Sequence, residues 1–121
     1  MEKQKQHYEP TIVDKIEQQY PEMTAEFKAI QKKQYELFCH KQHDYGSGNI
    51  SVGTNLETDE DVDMSLKGLW FRMNDKIQRS KNLLFYAKKN AVEGETINDA
   101  WLDLSNYGIM SVLVHLRKWG K

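Results

Sequence analysis

The sequence has one cysteine, Cys39, two prolines and no long apolar run. A lone cysteine excludes a disulfide framework within the chain and fits a reducing compartment. The polar start MEKQKQHYEP has no apolar segment of signal-peptide type. No stretch approaches the roughly 18 apolar residues that a membrane span needs. The expectation is a soluble, cytoplasmic protein. Excess charge is missing too. Seventeen Lys and Arg oppose eighteen Asp and Glu, a net charge of −1, which argues against broad nucleic-acid binding through a basic surface. A small anion held by a few local cations is still allowed. P-loop, G-x-G-x-x-G, H-E-x-x-H and Ser-His-Asp patterns are absent, so hydrolase triads and common nucleotide folds gain no support.

What is present is helical. At 121 residues the chain suits one small domain. Residues 1–10 read as a flexible arm and 11–121 as a single all-α domain. Thr11 to Gln19 makes a short helix, which Tyr20-Pro21 breaks. Phe27, Ile30, Gln34, Leu37 and Phe38 carry helical spacing through a second helix, Glu22 to Gln42. Gly46 is placed to cap it. Ser47 to Asp61 reads as a Gly-rich loop, long enough to suggest function or mobility. Thr58-x-x-Asp61 or Asp63 opens a third long stretch running to about Lys88. Met64, Leu66, Leu69, Trp70, Met73, Ile77, Leu84 and Phe85 form its apolar side. Thr96-x-x-Asp99 opens a last helix running to about Trp119. The architecture expected is a small helical bundle of three long helices plus a short N-terminal one. Low mean hydropathy with many aromatic residues further suggests that the domain gains core as a homo-oligomer.

Three polar stripes and the turn that follows the first are candidates for chemistry. Glu36, His40 and Asp44 lie at i, i+4 and i+8, beside Lys41 and His43. They suit either a solvated face with a cap or a site at a helix end, and zinc is disfavoured. Arg72, Asp75, Lys76 and Arg79 share one side of a helix. Asp75 can pair with Arg72 or Arg79, yet the stripe adds three cations to one acid and is the best phosphate contact in the chain. Glu95, Asp99 and Asp103 stack at spacing four. Like charges so placed repel by about 0.2–0.5 kcal/mol per pair. The helix N-terminus favours the first two acids. A cross-helix ion-pair network with the Arg/Lys stripe, or Mg²⁺, would account for the third. Trp70, Trp101 and Tyr107 read as core, and Cys39 as a buried or inert thiol.

In order along the chain, HKQHDYG, GLWFRMNDKIQRSKNLL and ETINDAWLDLSNYGIM resemble the family called nucleotide modification associated domain 1, found largely in phages and prophages. The residues carrying the resemblance are Lys41, Asp44, Tyr45 and Gly46, then Arg72, Asp75, Lys76 and Arg79, then Glu95, Asp99, Asp103, Leu104, Asn106 and Tyr107. It spans about Glu36 to Leu113. It implies a nucleotide or nucleotide-derived ligand at Lys41, Asp44, Tyr45, Arg72, Asp75, Lys76, Arg79, Asn106 and Tyr107, with Glu95, Asp99 and Asp103 available to Mg²⁺. The family is distantly similar to all-α nucleoside triphosphate pyrophosphatases, although the last helix here spaces its acids by four rather than three. Three functions follow from this: Mg²⁺-dependent nucleotide chemistry, non-catalytic sequestration of a nucleotide signal such as a cyclic nucleotide, and a structural role in a phage nucleobase-modification complex.

Overall fold

The computed structural model describes residues 8–86 and 89–121, and among these every regular element is a helix. The order is α1 Ile12–Gln19, α2 Pro21–Tyr45, α3 Gly48–Ser51, α4 Asp59–Phe85 and α5 Ile97–His115. The chain divides into two compact units, Met1–Glu36 and Leu37–Lys121, where the sequence suggested one body from 11 to 121. Residues 1–7 of the expected arm, and the expected helix end near Lys88, lie outside the described residues.

In the first unit, Thr11 closes a capping box with Asp14, so α1 starts where the sequence placed it. Pro21 then takes the first position of α2, where its missing N–H costs nothing. None of α1 is buried. Ile12, Ile16, Met23 and Phe27 instead line an apolar groove of about 590 Å³.

The second unit holds the core. Leu69 of α4 and Val114 of α5 are fully enclosed, packed with Val62, Met110, Ile50, Leu56 and Trp119. The α4 and α5 starts match the expected caps. The Thr58 hydroxyl accepts the Asp61 N–H at 3.1 Å, and Thr96 forms a capping box with Asp99. Two departures shape the site. First, the expected loop contains a helical turn, α3, and Ser65 donates its hydroxyl to the Ile50 carbonyl at 2.7 Å to hold that turn on α4. Second, α5 stops at His115, and Arg117 adopts a left-handed backbone with φ 58°. That reversal sends Trp119 into the core, where it meets Phe38 edge to face at 5.9 Å and donates its indole N–H to the Ser47 carbonyl at 3.1 Å.

The expected core is corrected in detail. Trp70 and Trp101 are 57% and 44% exposed, and Met64, Ile77, Leu84 and Phe85 also face outward. Leu66, Met73 and Tyr107 do pack against the core. Cys39 is exposed rather than buried. Helical spacing identifies apolar positions but not which of two apolar faces a neighbour will cover.

Candidate functional site

Four elements of the second unit converge on one cavity of about 270 Å³. The last turns of α2 bring Phe38, Lys41, Gln42 and Tyr45 to it. They end at Gly46, whose left-handed φ of 69° suits a residue without Cβ, and whose N–H reaches the Gln42 carbonyl at 2.8 Å. α3 contributes Asn49 and Ile50, α4 contributes Arg72, and α5 contributes Asp103, Asn106, Tyr107 and Met110. The result is an aromatic and apolar wall, three side-chain amides, two cations and one carboxylate.

Arg72 donates through Nη2 to the Asn49 carbonyl at 3.2 Å, tying α3 to α4 at the cavity rim. Its guanidinium has five donors, so one bond leaves most of the fork available to a ligand. Asp103 is the electrostatic centre. Its Oδ1 lies 3.3 Å from Lys41 Nζ and its Oδ2 lies 3.1 Å from Lys76 Nζ. The cross-helix ion pairing anticipated as one explanation of the acidic stripe is therefore present, with Lys41 of α2 as a second partner.

A second cavity, about 210 Å³, lies against the same ion pair. Lys41, Lys76, Arg79, Glu95, Asp99 and Asp103 line it together with Leu37, Gly94 and Ala100. Arg79 is engaged with the backbone here. Nη1 donates to the Thr96 carbonyl at 2.9 Å, and Nη2 donates to the Glu95 carbonyl and Asn90 Oδ1, both at 2.7 Å. It clasps the segment before α5 through two carbonyls that also accept from Asp99 N–H and Asn90 Nδ2.

Of the sequence candidates, Lys41, Tyr45, Arg72, Asp103, Asn106 and Tyr107 meet at the larger cavity, and Lys76, Arg79, Glu95 and Asp99 at the smaller one. Asp44 and Asp75 line neither. Asp44 points to solvent beside His43, with 3.1 Å between Oδ1 and Nδ1. Asp75 is exposed and pairs with neither Arg72 nor Arg79. The cavity also takes Phe38 and Gln42, which share a helix face with Lys41 and Tyr45. Asn49 was hidden by the unrecognised turn α3.

Two acids of the stripe proposed for Mg²⁺, Asp99 and Asp103, have protein partners in this structure. Asp99 Oδ2 accepts the Thr96 N–H at 2.8 Å in the α5 cap, and each Asp103 oxygen faces an ammonium. Among the described residues no group of three or more His, Cys, Asp or Glu side chains is placed to hold a metal ion, and no helix is long and apolar enough to cross a membrane. No family model matches the chain, and neither the curated proteins nor the solved structures give a significant match.

Proposed function

We propose that the protein binds a nucleotide or nucleotide-derived small molecule in the cavity between the end of α2, α3, α4 and α5, and sequesters it. In this reading the last turns of α2, with α3, α4 and α5, surround the ligand. The observation that carries the proposal is the pairing of Arg72 and Lys41 with an aromatic and amide wall in one cavity. A flat heterocycle can stack on Tyr45, Tyr107 or Phe38, and its edge can bond Gln42, Asn49 and Asn106. An anionic tail finds the two cations, and Arg offers a planar fork for phosphate oxygens. A phage-encoded protein of this kind, acting in the cytoplasm of a bacterial host, would remove a nucleotide signal from circulation.

Sequestration is favoured over catalysis by the state of the acids. A general base needs a carboxylate within reach of its proton and free to take it. Without ligand, Asp103 is held by two lysines and Asp99 by its own helix cap. On this reading Mg²⁺ enters only with the phosphates of a ligand, keeping most of its waters, as this ion commonly does.

The test is a panel of nucleoside mono- and triphosphates and cyclic nucleotides, with and without Mg²⁺, followed by melting temperature and by chromatography of the ligand. Stabilisation with intact ligand is expected, about 2.7 kcal/mol at a hundredfold excess over Kd. Arg72→Ala should abolish it. Product formation would favour nucleotide chemistry instead, and no ligand effect at all would leave the structural-subunit role.

Homo-oligomer formation belongs to the same proposal. Between Asp103 and His115 α5 has no charged residue. Its inner face packs on α4, yet Trp101, Ile109, Val112 and Leu116 on the opposite side are each 44–59% exposed. A helix apolar all round is normally covered all round. Small residues, Ser105 and Gly108, lie along that outer face, and nothing lies within 4 Å of a Cβ built on Gly108, which leaves room for close approach by the α5 of a second copy.

A further inference from the structure

The Lys41–Asp103–Lys76 cluster has the form of an occupied anion site. Two ammonium groups arrive from different helices, one on each oxygen of a single carboxylate, at 3.3 and 3.1 Å. The Asp103 side chain is only 17% exposed, whereas Lys41 and Lys76 are 45% and 28% exposed. The larger and smaller cavities both include Lys41 and Asp103 in their walls, so the carboxylate stands at their junction. Resting on the nucleotide reading above, we propose that this junction is the phosphate subsite. Asp103 occupies it as an internal anion, and the phosphate of a nucleoside phosphate ester displaces it. The ring then lies in the larger cavity, and the ester phosphate bridges Lys41 and Lys76 toward the smaller one.

The physical argument is competition for the same two cations. A carboxylate and a phosphate each offer oxygens to Lys ammonium groups, and charge-assisted bonds of this kind are the strong ones. With Asp103 in place the lysines are satisfied without ligand, so an uncharged nucleoside or a free base has nothing to displace and binds weakly. A dianionic phosphate brings more charge than the carboxylate it replaces. This arrangement predicts the opposite sign from a metal-ligand or catalytic role for Asp103. Removing its charge should strengthen phosphate binding.

Titration of the protein and of Asp103→Asn with inorganic phosphate and with adenosine 5′-monophosphate, by calorimetry without divalent metal, tests this. At least tenfold tighter binding by Asp103→Asn is expected for both probes, and Lys76→Gln should weaken both. Equal or weaker binding by Asp103→Asn overturns the inference while the nucleotide reading stands. No binding of either probe by any form overturns the inference, and no ligand effect across the nucleotide panel overturns both. The unaltered protein provides a check that does not depend on a variant folding. Its Asp103 carboxylate ¹³C resonance should move on phosphate addition while that of Asp99, held in the α5 cap, stays. An Asp103 signal that does not respond to bound phosphate also overturns the inference.

Discussion

The Asp14 carboxylate closes the α1 capping box and receives the Tyr8 hydroxyl. That hydroxyl is the main reason its pKa lies below the ordinary 3.8, followed by the Thr11 N–H and hydroxyl. A depressed carboxyl pKa stabilises the folded form above the unfolded value, and that stabilisation fades as pH falls through the folded value. Tyr8 shifts the other way, raised by its bond to Asp14, so its share is lost only as pH climbs past the ordinary 10.0. The N-terminal turn of α1 should therefore hold through neutral pH and loosen below the normal carboxylate range. Backbone chemical shifts of residues 11–16 during acid titration would show it. Shifts that stay constant to well below that range would refute the assignment. At the same scale Thr58 and Thr96 declare themselves as helix starts because a cap is decided within four residues. The roles of Ser65 and Cys39 depend on what lies opposite them, and one turned out buried and the other exposed.

Among the elements, the six residues after α5 tie the segments on either side of α3 to the core. Arg117 and Leu56 both hold left-handed backbones, with φ 58° and 56°, an unfavourable state for residues bearing a Cβ that persists where surroundings enforce it. Arg117 supplies that enforcement, donating Nη1 to the Leu56 and Glu57 carbonyls at 3.4 and 2.6 Å and pairing with Asp59 through Nη2. Trp119 adds its indole bond to Ser47 and its ring to the core, at 6% exposure. Trp119→Ala should cost about 3–5 kcal/mol of stability, read from urea denaturation. Trp119→Phe, keeping the ring but losing the N–H, should cost less and chiefly loosen α3. If both variants unfold like the parent, the C-terminal clasp contributes nothing. The sequence signalled the caps of α4 and α5 but not this reversal, because a left-handed Arg has no compositional mark.

On the scale of the whole molecule, large apolar side chains stay exposed along both long helices of the second unit. Trp101, Ile109, Val112 and Leu116 on α5 are joined by Trp70, Ile77 and Leu84 on α4, spaced by seven, the repeat of helix-to-helix seams. A standard interface needs about 800 Å² from each partner, and aromatic side chains of about 150–250 Å² each bring such a face within reach of that size. The protein should sediment as a dimer or larger at micromolar concentration. Val112→Glu should shift it to monomer by placing like charges opposite each other. A monomer at all concentrations would show that these faces stay open.

By itself the sequence determined the helical class, the starts of α1, α4 and α5, and the grouping of Lys41, Arg72, Lys76, Asp103 and Asn106 as the polar residues to watch. Those properties are set by spacing of 3.6 residues and by capping chemistry over one turn. Only the tertiary structure decided which members of each stripe meet. It turned Asp44 and Asp75 outward, assigned Arg79 to backbone carbonyls, and placed Asp103 between two lysines from separate helices. Helix rotation and long-range packing set those outcomes, and they depend on side chains far apart in the chain: Leu69 against Val114, and Trp119 against Phe38.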